Sequence, residues 1–86
     1  MARERVAPQT GLAAAQAAWR EAVGEQIAAV ATPVSERAGT LTVECANGVW
    51  AQELDLMQEQ LLERLRAELG DRSPQALRFR VEGARK

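Results

Sequence analysis

Histidine and tyrosine are absent from this sequence, and cysteine occurs once, at Cys45. Without histidine there is no Ser-His-Asp or Cys-His arrangement, no common zinc-site pattern and no imidazole base. One cysteine cannot form an internal disulfide, which fits a reducing cytosol. No GxGxxG and no P-loop occurs. These gaps point away from an enzyme and away from any cofactor or metal, and towards binding or scaffolding. No apolar run reaches the roughly 20 residues that span a bilayer. The first residues, MARERVAPQTG, lack a signal peptide's apolar stretch. The expected setting is soluble and cytoplasmic.

Aromatics are also scarce: Trp19, Trp50 and Phe79 are the whole set. What the sequence does have is small and medium apolar residues, 47% of its 86 positions, many of them alanine. A chain of this size makes one domain with a modest core of Leu, Val and Ala around three large anchors.

Charge is nearly balanced at −1 but unevenly placed. Residues 1–43 are neutral. Residues 44–63 carry Glu44, Glu53, Asp55, Glu59 and Glu63 with no positive partner. Residues 64–86 carry Arg64, Arg66, Arg72, Arg78, Arg80, Arg85 and Lys86 against only Glu68, Asp71 and Glu82. The chain is polarised along its length.

Residues 1–9 read as a flexible lead-in, residues 10–83 as a single domain and residues 84–86 as a tail. Thr10 is a candidate N-cap for a helix over about 11–31, whose apolar face is Leu12, Ala15, Trp19, Val23, Ile27 and Val30. Gly24 inside it suggests close approach by another backbone, and Pro33 would end it. TPVSERAG (32–39) reads as a linker. TLTVECA alternates and reads as a half-buried strand with Leu41, Val43 and Cys45 inward. LRFRVE alternates again, giving a strand at 76–83 with Leu77, Phe79 and Val81 on one side and Arg78, Arg80 and Glu82 on the other. Gly70 suits the end of the preceding helix.

Residues 46–57, ANGVWAQELDLM, admit two readings. As helix from Val49 to Leu69, the apolar face is Trp50, Leu54, Met57, Leu61, Leu62, Leu65 and Leu69, with Leu56 left on the wet side. As a hairpin, a type I′ turn at Asn47-Gly48 returns residues 49–56 as a strand, and the helix begins near Met57. The hairpin is preferred, because two strands make a poor platform for helices and three make a stable layer. The expected fold is α+β, with two helices on one face of a three-stranded sheet in the order α-β-β-α-β.

WREAVGEQIA (19–28), Pro33, GTLTVEC (39–45), VWAQEL (49–54), LLERLRAELG (61–70) and LRFRV (77–81), in that order, resemble the DciA family over roughly residues 12–82. The resemblance implies a K-homology-like core and a part in bacterial DNA replication. Members of the family associate with the replicative helicase DnaB, assist its loading onto DNA, and are not enzymes. K-homology nucleic-acid binders use a GxxG loop, which this sequence lacks. Relatives also carry long flanking tails.

The expected nucleic-acid contacts are Arg64, Arg66, Arg72, Arg78, Arg80, Arg85 and Lys86, which would meet phosphates of single-stranded or sequence-nonspecific DNA. The plainer reading is a solvated strand face and a helix end favoured by its dipole. Trp19 is either a core anchor or a partly exposed residue at a partner interface. Trp50 is a core anchor or a stacking platform for a base. The acidic run is a solvated face or a complement to a basic partner. A K-homology-type RNA-binding module and a structural adaptor or homo-oligomer stand as alternative functions.

Overall fold

The computed structural model describes residues 11–82; residues 1–10 and 83–86, and with them the expected lead-in, the Thr10 cap, the tail, Arg85 and Lys86, lie outside the described residues. Two helical pieces come first, α1 (Gly11–Val23) and α2 (Glu25–Ala28). Strands β1 (Ala31–Arg37) and β2 (Thr40–Cys45) follow, then α3 (Gly48–Leu56) and α4 (Gln58–Leu69), a 3-10 turn (Gly70–Arg72) and β3 (Ala76–Val81). The fold is α+β. Its run of helical, strand, strand, helical and strand regions is the expected one, with four helices in place of two and with different residues supplying one strand.

The three strands form one sheet in the order β1-β2-β3. β1 and β2 are antiparallel, and β2 and β3 are parallel. Leu41, Val43 and Cys45 of β2 are fully buried on one face. Against them pack Ala15, Trp19, Ala22 and Val23 of α1, Leu54 of α3, and Leu61 and Leu65 of α4. The helices thus cover one face of the sheet, and burial of these side chains is the main force holding the two layers together.

The hairpin lies elsewhere than expected. Residues 31–37 are strand β1, although 32–39 reads as a linker and Pro33 as the end of the first helix. An edge strand tolerates proline, since the missing N–H would point away from the neighbouring strand. Pro33 pairs with Val43 in such a position, and a bulge follows it before Ser35. The turn is Ala38-Gly39, with φ of 52° and 86°. Two successive positive φ values are what a tight two-residue hairpin demands. The Glu36 carboxylate accepts a hydrogen bond from the Gly39 amide at 2.9 Å and supports the turn.

Residues 49–56 are therefore helix and not strand. Asn47 has extended backbone, φ −157° and ψ 176°, and its side chain accepts a hydrogen bond from the Trp50 amide at 3.0 Å. That is an N-cap, which satisfies one of the orphan donors of the first helical turn. A type I′ turn at Asn47-Gly48 would need positive φ at both residues, and neither has it. Asparagine and glycine serve both roles, and only the third strand's true location decides between them. Helix α3 runs into α4 through Met57 alone, whose amide is shared between the Glu53 and Leu54 carbonyls at 3.2 and 3.0 Å. Leu56 is 78% exposed, the wet position that the helical reading assigned to it.

Gly24 also differs from expectation. The first helix does not run to residue 31 but breaks at Gly24, where φ is 93°. No atom lies within 4 Å of where a Cβ would sit, so no backbone approaches closely. The glycine is there for its φ.

Candidate nucleic-acid interface

The open face of the sheet is built by strand alternation. Arg78 and Arg80 project from β3 on the side opposite Leu77, and both are exposed. The parallel register sets Arg78 beside Thr42 and Arg80 beside Glu44 on β2. On the far side, β1 presents Ser35 beside Thr42 and Arg37 beside Thr40.

The bulge puts Arg37 there. Before it, Thr32 lies opposite Glu44; after it, Ser35 lies opposite Thr42. One extra residue shifts the parity of everything that follows. Without the bulge Arg37 would turn towards the helices. The sequence reading missed Arg37, because a linker has no faces. The signal that would have found it is β-branched Thr32 and Val34 ahead of a tight turn, with Pro33 admitted as an edge-strand residue.

Ser35, Glu36, Arg37, Ala38, Thr40, Thr42 and Arg78 line a depression of about 440 Å³, in which the Glu36 carboxylate is engaged by the Gly39 amide. Hydroxyl groups and guanidinium groups on one concave surface suit phosphate oxygens, the hydroxyls donating single hydrogen bonds and the guanidinium groups adding charge. Among the described residues neither Arg37 nor Arg78 has an ion-pair partner. Arg80 does: its Nη2 lies 3.0 Å from Glu44 Oε2. Arg80 is tied across to β2, and part of its charge is neutralised there.

The seven expected cationic contacts are not one cluster. Arg78 and Arg80 share the open face. Arg64 and Arg66 sit on α4, in the layer on the opposite side of the sheet. Arg66 lines a small hollow there with Glu59, Leu62 and Glu63, so its surroundings are mixed in charge. Arg72 is exposed in the turn after α4. The exposed carboxylates of the α3–α4 side, Glu53, Asp55, Glu59 and Glu63, belong to the same helical layer. The polarity seen along the sequence becomes, in part, a polarity across the sheet.

Trp19 does not have the partial exposure that an interface role required. It is 4% exposed, and its indole Nε1 donates to the Ala31 carbonyl at 2.8 Å. It is a core anchor that also ties α1 to β1. Trp50 is half-buried and packs against the core from α3. Cys45 is free and fully buried, and burial pushes its thiol up from the ordinary 9.0, so it stays neutral. Among the described residues, no group of His, Cys, Asp and Glu could hold a metal ion, and no helix is long and apolar enough to cross a membrane. The one-residue α3–α4 connection leaves no room for a GxxG clamp between those helices.

The family model described as "Dna[CI] antecedent, DciA" matches residues 2–79. This chain belongs to the DciA family. It is 45% identical over 53 residues to a UPF0232 protein of Mycolicibacterium smegmatis, a stretch covering 62% of this chain and 27% of that relative. It is 41% identical over 61 residues to a UPF0232 protein of Rhodococcus jostii, covering 71% of this chain and 32% of the relative. A further M. smegmatis relative, 43% identical over 53 residues, covering 62% of this chain and 27% of that relative, is named as a UPF0232 protein in the recF-gyrB intergenic region. The chain thus matches between about a quarter and a third of the length of these curated relatives. The DciA-like segments fall on distinct elements: WREAVGEQIA on α1 and α2, GTLTVEC on the hairpin turn and β2, VWAQEL on α3, LLERLRAELG on α4 and LRFRV on β3.

Proposed function

We propose that this domain is the folded core of a non-enzymatic, cytoplasmic replication accessory protein that binds a DnaB-type replicative helicase and DNA and assists helicase loading. Membership of the DciA family over residues 2–79 carries the reading. The open sheet face supports its DNA part: Arg37 and Arg78 stand unpaired among the described residues, beside a row of hydroxyls.

The mechanism follows from what the residues can do. The 86 residues hold no P-loop, so nucleotide hydrolysis is not the source of work. Binding alone shifts a helicase between states only as far as the protein prefers one state over the other. Contacts to phosphates supply affinity and position without reading sequence. The domain then holds DNA near a helicase whose loading-competent form it binds more tightly. DNA engages Arg37, Arg78 and, once its pair with Glu44 loosens, Arg80. Arg64, Arg66 and Arg72 contribute to the field at longer range.

Co-precipitation with a purified replicative helicase at low salt tests the helicase part. The expected result is retention that does not need ATP hydrolysis. Absence of any association, with the domain shown to be folded, overturns it.

A further inference from the structure

The two edges of the sheet are finished differently. On β1 ahead of the bulge the outward backbone groups belong to Ala31 and Pro33, because Val30 pairs with Ala46 across the ladder at 2.9 Å. Both outward carbonyls are taken by α1: Trp19 Nε1 donates to Ala31 at 2.8 Å and Gln16 Nε2 to Pro33 at 3.1 Å. Pro33 has no N–H to offer, and the bulge follows it. This half of the edge is closed to another strand, and the bulge breaks its line before the outward groups of Glu36.

On β3 the amide of Ala76 donates to Gly39 at 3.2 Å and that of Glu82 to Cys45 at 2.7 Å. Even-numbered residues therefore turn their backbone groups towards β2, and Leu77, Phe79 and Val81 turn theirs outward. The Gln58 side chain accepts from the Leu77 amide at 3.3 Å, which closes the first position. Beyond it, the amides of Phe79 and Val81 have no partner among the described residues. Phe79 and Val81 are only half-buried.

We propose that the Phe79–Val81 edge of β3 accepts an extended segment of a partner protein, adding a fourth strand in which carboxylates alternate with apolar residues. The flanking side chains define that pattern. An added strand sets every second side chain next to Arg78 and Arg80 on the open face, and Arg78 lacks an ion pair. Its other side chains continue the apolar surface of Phe79 and Val81. A second copy of β3 fits poorly. Antiparallel self-pairing centred on Phe79 sets Arg78 against Arg80 of the other copy, and like charges directly opposite destabilise a ladder. Residues of this chain outside the described ones do not match either: residues 1–10 contain Pro8 and a single carboxylate, and residues 83–86 contain none. Because Arg78 also lines the open-face depression, a bound acidic strand and DNA phosphates draw on the same guanidinium group.

The test uses the whole chain and a blocked synthetic peptide of about seven residues alternating valine and glutamate, a length typical of a strand. Amide hydrogen exchange by NMR reads the edge, with a lysine-for-glutamate peptide as control. The expected result is that the Phe79 and Val81 amides, fast in the free protein, slow by about tenfold or more on saturation, while the Arg78 and Arg80 amides stay as protected as before. The glutamate peptide binds about tenfold more tightly than the lysine peptide, and Arg78→Glu reverses that order. Unchanged exchange at Phe79 and Val81, or equal binding of the two peptides, overturns the proposal. So does protection of the same amides by self-association in the absence of peptide, which would make a second copy the occupant. Neither helicase nor DNA enters the experiment, so its outcome is independent of the replication reading.

Discussion

One face of the sheet is covered by the helices, and the other is left open by the described residues. On the covered face Leu41, Val43, Cys45 and Leu77 are buried against Trp19, Leu54, Leu61 and Leu65. On the open face Thr42 and Glu44 are half-buried, and Arg37, Arg78 and Arg80 stand in solvent. The same strands supply both sets, residue by alternate residue. The covered face is constrained by volume, because a missing methylene leaves a cavity that the neighbours cannot fill. The open face is constrained by charge and hydrogen bonding, and its residues can be exchanged with little effect on folding. On the proposed reading stability and recognition are separable in this domain, and substitutions on the two faces should have opposite signatures.

The largest effect is expected on the covered side. Leu61→Ala removes a fully buried side chain at the junction of α4 and the sheet. It should lower unfolding free energy by about 3 kcal/mol in urea denaturation. A loss under about 1 kcal/mol would mean that the helical layer is loosely packed and that the contrast between faces is overstated. Trp19→Phe keeps a ring but leaves the Ala31 carbonyl without its 2.8 Å donor. A cost of about 2 kcal/mol is expected from the lost bond and the smaller ring together.

Asn47→Ala asks whether α3 covers the sheet because it is capped. Removal of the side-chain acceptor for the Trp50 amide should cost about 1 kcal/mol and leave the helical content recovered by circular dichroism nearly intact. Were residues 49–56 a strand paired through a tight turn, the same change would shift register and disturb Cys45 and Trp50 together.

The smallest stability effect is expected on the open face. Glu44→Gln breaks the ion pair with Arg80, whose side chains are 29% and 56% exposed respectively. Unfolding free energy should change by no more than about 0.5 kcal/mol. DNA affinity should rise by about threefold at low salt, because a guanidinium group is released and a carboxylate removed. Unchanged or weaker DNA binding would detach Arg80 from the interface.

Much of this arrangement was legible in the sequence. The alternation in TLTVEC and LRFRV placed Leu41, Val43, Cys45 and Leu77 inward and Arg78 and Arg80 outward, and the structure keeps that assignment. The apolar spacing in LLERLRAEL gave α4 and its inward Leu61 and Leu65. Two segments were misread for connected reasons. Pro33 reads as the end of the first helix and residues 32–39 as a linker, so β1 was missed. The sheet then lacked a strand, and Asn47-Gly48 was used to supply one. Local chemistry could not separate a turn from an N-cap there, since both favour Asn and Gly. The Ala38-Gly39 turn carried a weak signal, because alanine adopts positive φ only at a cost of about 1 kcal/mol and is not a usual turn residue. Arg37 was lost with β1. The dispersal of Arg64 and Arg66 away from Arg78 and Arg80 depends on which layer α4 joins, and charge counts along a sequence do not contain that.

The most direct test of the account is the salt dependence of DNA binding for the unaltered domain and for Arg37→Ala/Arg78→Ala. If these two residues meet phosphates, the slope of log affinity against log salt should become shallower by about 1.5 to 2 in the double variant, with its urea midpoint unchanged. An identical slope in the two proteins, with both fully folded, would contradict the assignment of the open sheet face to nucleic acid.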